Sequence, residues 1–446
     1  MLILGASYFF YGVWDWRFLI LIFLSSIVDY GAGRLITLSR KRKKDKQATY
    51  ILYTSLIWNL GVLFIFKYYN FFLDNLKMLF DIPENTFTTL NILVPVGLSF
   101  YTFQTISYTV DVYKGKISAS DNLLQFLCFV SFFPQLVAGP IERASRLLPQ
   151  FANRRKFNYQ YATEGLRLIL WGLFKKMVVA DNLAVAVFAI YAHPENFSSP
   201  EIIYGALLFF FQMYCDFSGY TDIARGTAKM FGFELSINFK LPYLVKNVSS
   251  FWDRWHITLS KWFRDYVYVP FLQNKKRTQI NRFNALMLTM TLMGFWHGAN
   301  WTFLLFGISQ ALILWFESIP IKVNGTKKNV RSFLFKNPII GRTHFILMLI
   351  IGMIFFRSAD IASAWEMIMR MFTSWDIDGF DLVIGWKIGV LGILLLAEYL
   401  TRTKDHPLQQ LESHYKKPVR WLVYYGLVFL IIRYGGPQEE FIYFQF

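Results

Sequence analysis

Charge is what this sequence has least of: 17% of its 446 residues are Asp, Glu, Lys or Arg, against the roughly one quarter of a soluble domain. Cysteine is nearly absent. Cys128 and Cys215 are the two present, both within apolar stretches, which excludes a disulfide framework and a thiolate metal site. Acids are scarcer than bases, 29 against 46, giving a formal net charge of +17. No Walker A loop, nucleophile elbow, HExxH helix or dinucleotide fingerprint occurs, so ATP-driven and redox chemistry have no support. A cleavable signal peptide is not expected, because the N-terminus has no basic n-region and no small-residue cleavage site. Internal repeats and low-complexity tracts are also missing.

Apolar sequence fills the space that charge leaves. Hydrophobic residues make up 55% of the chain and aromatic residues 19%, and mean hydropathy is +0.35. At roughly 20 apolar residues per spanning helix, about eleven candidate spans fall near 1–14, 17–38, 49–66, 91–110, 165–191, 201–220, 283–297, 299–319, 343–357, 383–400 and 421–434. The expected fold is an all-α polytopic membrane protein, a single membrane-embedded domain over 1–446. Loop charge gives an independent test. The run RKRKKDK (40–46) and the acid-free linker 320–342, with Lys322, Lys327, Lys328, Arg331, Lys336 and Arg342, belong in the cytoplasm by the positive-inside rule. The loop with Asp74, Asp81 and Glu84, the stretch 193–202, and segment 357–382 with Asp360, Glu366, Asp376, Asp378 and Asp381 suit the outside. This alternation puts the N-terminus in the cytoplasm and the C-terminus outside. The basic excess therefore orients spans in a bilayer and does not mark a nucleic-acid face.

Two stretches do not read as spans. Segment 121–140 is apolar, yet both its ends are expected inside, and Pro134 with Gly139-Pro140 supplies the break a re-entrant turn needs. Segment 238–282 is too polar to cross and too aromatic for a linker. It is expected as re-entrant or amphipathic structure at the cytoplasmic face.

Of six histidines, His193, His344, His406 and His414 fall in loops or at a span edge. His297, in GFWHGANW, follows an apolar run from Ala285 that carries it roughly 20 Å from the cytoplasmic edge. An ionisable group at that depth either satisfies a helix-helix hydrogen bond or does chemistry. Trp296 and Trp301 supply walls there, and Asn300 can orient an imidazole. His256 lies in FWDRWHITLSKWFRDYVYVP. A helix over 251–264 places Trp252, Trp255, Leu259 and Trp262 on one face, with Arg254, Lys261 and Arg264 elsewhere. That pattern fits an interfacial helix, and it fits equally an aromatic and basic floor for an anionic, phosphate-bearing substrate. A third cluster, MYCDFSGYTDIARG, sets Asp216, Ser218, Tyr220, Asp222 and Arg225 at the end of a long apolar helix. It is either a structural network or a substrate lining.

Five phrases in order, VPVGLSFYTFQTISYTVDVYKG (94–115), FFPQLVAGPIERASRLLPQF (132–151), MYCDFSGYTDIARGTAKMFGFEL (213–235), FWDRWHITLSKWFRDYVYVP (251–270) and GFWHGANWTFLLFG (294–307), resemble the membrane-bound O-acyltransferase family, and within it the alginate-type branch. The likeness runs from about residue 5 to the closing FIYFQF. It departs after residue 270, where Phe271, Leu272, Gln273 and Asn274 stand in place of a Leu-Gly-Gly turn.

The resemblance implies an O-acetyltransferase of the bacterial inner membrane with His297 as catalytic residue and His256 as the second family histidine. It implies acetyl-CoA as a donor arriving from the cytosol, no bound cofactor or metal, and an extracytoplasmic partner of SGNH type that completes transfer to a polysaccharide. Trp252, Arg254, Trp255, Arg264, Trp296, Asn300, Asp216 and Tyr220 are the expected donor path or channel lining. Two alternatives stand beside it: a D-alanyl transferase of the teichoic-acid type, which shares the FWxRWH and FWHG phrases, and an envelope transporter whose buried histidine and acids bind protons or substrate.

Overall fold

The computed structural model describes residues 1–83, 86–90, 92–276, 278–323, 326–375 and 385–442. Glu84, Arg277, Asp376, Asp378, Asp381, the first residues of the 91–110 and 383–400 spans and the last four residues of FIYFQF lie outside the described residues. Helices make up most of the described residues, and the protein is an all-α polytopic membrane protein. Five helices among the described residues are long and apolar enough to cross a bilayer: Arg17–Lys41, Asp45–Leu79, Ser199–Met230, Trp301–Ser318 and Pro338–Arg357. A two-stranded antiparallel hairpin, Pro320–Val323 with Thr326–Asn329, interrupts the helical pattern within the 320–342 linker. Contacts divide the chain into two units, residues 1–162 with 227–236, and residues 163–226 with 237–446.

In the first unit, α1 (Leu2–Asp15), α2 (Arg17–Lys41), α3 (Asp45–Leu63), α4 (Leu98–Tyr113), α5 (Leu123–Ser131) and α6 (Ala144–Ala152) carry most of the packing. Helix α3 runs on through a π-turn at Phe64–Tyr68 into Tyr69–Leu79. Helices α2, α3 and α4 pack on one another around Asp29, which is fully buried. Its carboxylate accepts hydrogen bonds from Ser55 Oγ (2.5 Å), Asn59 Nδ2 (2.9 Å) and Thr109 Oγ1 (3.0 Å). A carboxylate among apolar helices is tolerated when its oxygens are satisfied. Here the satisfaction comes from two other helices, so the acid fixes their mutual register. Segment 121–140 starts with an Asn122 cap on α5 and breaks at Phe132, ahead of a single turn at Phe133–Leu136 with Pro134 in its opening positions.

The second unit contains most of α7 (Tyr159–Leu173), α8 (Asp181–Ala192), most of α9 (Ser199–Met230), α10 (Val248–Trp252), α11 (Ile257–Phe263), α12 (Gln279–His297), α13 (Trp301–Ser318), α14 (Pro338–Arg357), α15 (Ile361–Thr373), α16 (Trp386–Leu400) and α17 (Lys417–Tyr434). Glycines let two helix pairs approach closely. A Cβ on Gly226 would lie 2.5 Å from the Gly165 carbonyl oxygen, and one on Gly172 would lie 2.6 Å from that of Gly219. The same seven-residue spacing on α7 and α9 repeats this contact twice, the small-residue packing that replaces hydrophobic drive in a bilayer. In the α12–α13 hairpin, a Cβ on Gly294 would meet the Phe303 oxygen at 2.3 Å, and one on Gly307 would meet the Met290 oxygen at 2.3 Å. Helix α12 stops because Gly298 is extended (φ −163, ψ 152), which leaves His297 as its last residue.

The helix expected over 251–264 is broken in two. His256 adopts a left-handed conformation (φ 40) between α10 and α11. Tertiary hydrogen bonds impose the break: Ile257 N donates to the Asn238 carbonyl (2.9 Å), Lys240 N to the Arg254 carbonyl (3.0 Å), and Thr258 to the Asn238 side chain. Trp252 and Trp255 therefore do not lie on one continuous helix with Leu259 and Trp262.

Candidate active site

His297 is 3% exposed at the apex of the α12–α13 hairpin. Its ring lies 5.0 Å from those of Trp296 and Phe356, 6.3 Å from Phe306 and 6.5 Å from Phe303. Phe303 covers the bare Cα of Gly298, where a Cβ would lie 2.2 Å from the ring. Trp296 meets His256 as well, at 6.0 Å between ring centroids. One indole thus contacts both histidines. His256 is wholly buried, with Phe217 edge-on at 4.8 Å and Phe239 at 6.4 Å.

Trp255 stacks on Phe251 (5.4 Å) and meets Phe239 edge-on (5.0 Å). Trp252 donates from Nε1 to Gln310 (3.3 Å) and contacts Phe306, which links it to the His297 cage. Asn300 does other work: its Oδ1 caps α13 by accepting from Thr302 N (3.1 Å), and its Nδ2 donates to the Ala359 carbonyl (2.8 Å). Trp301 is half exposed. Arg264 is exposed and pairs with Asp265 at 2.9 Å. Arg254 is half-buried, with its carbonyl bound to Lys240 N.

Asp216 and Tyr220 join a buried group that charge spacing alone did not reveal. Lys176 Nζ lies 2.7 Å from Asp181, 2.9 Å from Asp216 and 2.9 Å from the Glu439 carbonyl. Ile442 N donates to Asp216 Oδ2 (2.8 Å), and Phe441 packs on Tyr220 (4.5 Å) and on Phe217 (5.5 Å), the ring that abuts His256. Lys176 sits in a π-helical stretch, Phe174–Ala180, between α7 and α8. Such turns occur often at functional positions.

Next to this group a small cleft, open to solvent, is bounded by Lys175, Asp222, Arg225, Asn238, Lys240, Glu398 and the loop 401–407. Lys175 pairs with Asp222 (2.5 Å), Arg225 with Asp222 (3.6 Å) and Asp405 (3.4 Å), and Glu398 accepts from Tyr214 and Tyr243, each at 2.9 Å. Four of its buried polar atoms, Ser218 Oγ, Arg225 Nε, Asn238 Nδ2 and His406 Nδ1, have no hydrogen-bond partner among the described residues. Lys175, Lys176 and Glu398 were legible as charges inside the apolar runs 165–191 and 383–400. Asn238 carried no such signal.

These features define a class: an integral membrane protein with two buried histidines joined by a tryptophan, beside a cleft of mixed charge with unpartnered donors. Residues 9–359 match the profile of the membrane-bound O-acyltransferase (MBOAT) family. The chain belongs to that family and is an O-acyltransferase. It is 36% identical over 417 residues to the "Probable alginate O-acetylase AlgI" of Pseudomonas aeruginosa, covering 92% of this chain and 78% of that protein. It is similar too to the peptidoglycan O-acetyltransferase of Helicobacter pylori, 33% identical over 82% of this chain and 72% of that protein. The teichoic acid D-alanyltransferase of Bacillus subtilis is 29% identical over 50% of this chain and 59% of that protein.

Proposed function

We propose that this enzyme takes an acetyl group from cytosolic acetyl-CoA and passes it across the bacterial inner membrane to an extracytoplasmic acceptor, with a partner of SGNH type completing transfer to an alginate-like polysaccharide. The observation that carries the reading is the contact of His256 and His297 with opposite ends of one chain of rings through Trp296. The N-terminus is cytoplasmic and the C-terminus extracytoplasmic, so the cleft with Lys240, Arg402 and Lys404 faces the cytosol and offers cations to a phosphorylated donor.

His297 acts as the general base. As the acceptor oxygen attacks the thioester carbonyl, its proton passes to the imidazole, the C–S bond breaks, and the thiol of CoA leaves with a proton. The aromatic cage excludes water that would hydrolyse the thioester. His256, Trp252, Trp255, Arg254 and Arg264 belong to the donor side, Trp296 to the shared wall. Asp216 and Tyr220 anchor the chamber through Lys176 and Phe441, and Asn300 holds the turn after His297.

The names of the alginate and peptidoglycan relatives, at 36% and 33% identity, favour acetyl over D-alanyl, whose named relative spans half the chain. The test is transfer from labelled acetyl-CoA by the membrane-inserted protein and its His297→Ala variant, with D-alanyl carrier protein as rival donor. The expected result is acetyl transfer that falls by about 10²-fold or more without the imidazole. Full transfer in the variant overturns the role of His297. Charging from the carrier protein alone selects the D-alanyl reading, and solute flux that survives in the variant selects a transporter.

A further inference from the structure

Helix α13, which follows His297, is apolar along most of its length, yet it buries Gln310 and Glu317. Its serines spend their hydroxyls on their own helix: Ser309 donates to the Phe306 carbonyl (2.7 Å) and Ser318 to that of Trp315 (2.7 Å). Gln310 and Glu317 reach out of the helix, and both reach α10. Glu317 Oε1 accepts from Val248 N (2.8 Å) and Oε2 from Ser249 N (3.0 Å), the opening amides of α10, with His344 Nε2 at 3.4 Å from Oε1. Gln310 Oε1 accepts from Nε1 of Trp252 (3.3 Å), the last residue of α10.

Gln310 and Glu317 are about two turns apart and so stand on one face of α13, and Val248 and Trp252 are about one turn apart on α10. Glu317 meets the start of α10 and Gln310 its end, so the two helices run antiparallel in a defined register. A slip of α10 by one residue would leave the Glu317 carboxylate and the Trp252 indole unsatisfied together, in a setting where neither is tolerated. The placement of α10 carries on to His256, because the Phe251 carbonyl accepts from the amides of Arg254 and Trp255, each at 2.8 Å.

We propose that Gln310 and Glu317 are positioning residues for acetyl transfer: from the helix that follows His297 they clamp α10 in register, and so hold Trp252 and His256 in place on the donor side. The inference rests on the reading of His256 and His297 as the site of acetyl transfer. Neither clamp touches the reacting atoms. Gln310 acts through the Trp252 indole, and Glu317 acts through the backbone of α10.

The experiment measures kcat and KM for acetyl-CoA in the membrane-inserted native protein, Gln310→Leu, Gln310→Glu, Glu317→Gln and Ser309→Ala, and repeats Gln310→Leu in a Trp252→Phe background. Gln310→Leu should raise KM by roughly threefold to tenfold, the worth of one hydrogen bond, with kcat per folded enzyme less affected. Gln310→Glu keeps an acceptor at the same reach and should lie closer to the native KM. Glu317→Gln leaves one acceptor oxygen for two amides and should raise KM as well, whereas Ser309→Ala, whose hydroxyl bonds its own helix, should not. In the Trp252→Phe background, which lacks the indole donor, Gln310→Leu should add nothing further. If Gln310→Leu is not recovered from membranes, Glu317→Gln carries the same comparison. Residues that only support the fold would lower the yield of folded enzyme and leave KM native. That result in Gln310→Leu and Glu317→Gln, or a full additional rise in the Trp252→Phe background, overturns the proposal alone. Absence of His297-dependent acetyl transfer in the native protein overturns the underlying function, and the proposal with it.

Discussion

Asn238 fixes the tautomer of His256. Its Oδ1 accepts from the backbone N–H of Thr258 (3.2 Å) and from the Thr258 hydroxyl (2.9 Å), and the His256 Nδ1 lies 3.2 Å from the same oxygen. A backbone N–H can only donate, so the amide is oriented with its oxygen toward both residues, and Nδ1 must carry the proton. Nε2 then holds the lone pair. His256 lies outside the spanning helices, and burial pushes its imidazole down to about 3, so it is neutral at working pH.

Asn238→Ala takes a shared acceptor from Thr258 and His256 in a buried setting. A loss of about 1–3 kcal/mol is expected, read as a lower unfolding midpoint in detergent. Because the tautomer is released as well, the acetyl-CoA KM should rise in Asn238→Ala, whereas Thr54→Ala, an exposed threonine on α3 that bonds only its own helix, should leave it near native.

The same histidine makes stability pH-dependent. Its folded pKa is below the unfolded value of roughly 6.5, so between that value and about 3 the unfolded chain binds the additional proton. Stability is therefore full above about pH 6.5 and declines as pH falls toward 3. A melting series from pH 8 to pH 4 should show a steeper decline for the native protein than for His256→Gln. Parallel curves would remove His256 as the cause.

Lys176→Met leaves Asp181 and Asp216 buried with their shared cation removed. Breaking one member of a buried ionic group costs about 3–5 kcal/mol. The single variant should be poorly recovered from membranes, and Lys176→Met combined with Asp181→Asn and Asp216→Asn should recover better. Recovery of the triple variant no better than the single one would count against an ionic cause.

Gly307→Leu should separate α12 from α13, because even a Cβ would lie 2.3 Å from the Met290 oxygen. Loss of the monodisperse peak in detergent is the expected outcome, with Gly389→Leu, a position with open space around it, as the tolerated comparison.

The all-α membrane character was legible because long apolar runs obey a simple length rule in a bilayer. His297 stood out for the same reason, being ionisable in an apolar run. The break at His256 was not legible: local periodicity over 251–264 favoured one continuous helix, and hydrogen bonds from Asn238, some eighteen residues upstream, overrode it. Asn300 invited a role beside the imidazole, yet its position before α13 made it a cap. The Lys176 group needed partners from residues 181, 216 and 439, a separation no spacing argument spans. The short β-hairpin at 320–329 likewise has no strong alternation to announce it.

The segment after α17 has a consequence for how the protein is made. Phe441 and Ile442 are each 1% exposed and press on Phe217 and Asp216, and Gly436 N donates to the Met177 carbonyl (2.8 Å). Phe217, Phe239 and Trp296, whose rings meet His256, are all translated before these residues leave the ribosome. A chain halted before residue 441 therefore lacks the ring that backs Phe217 where it meets His256 and the backbone donor of Asp216.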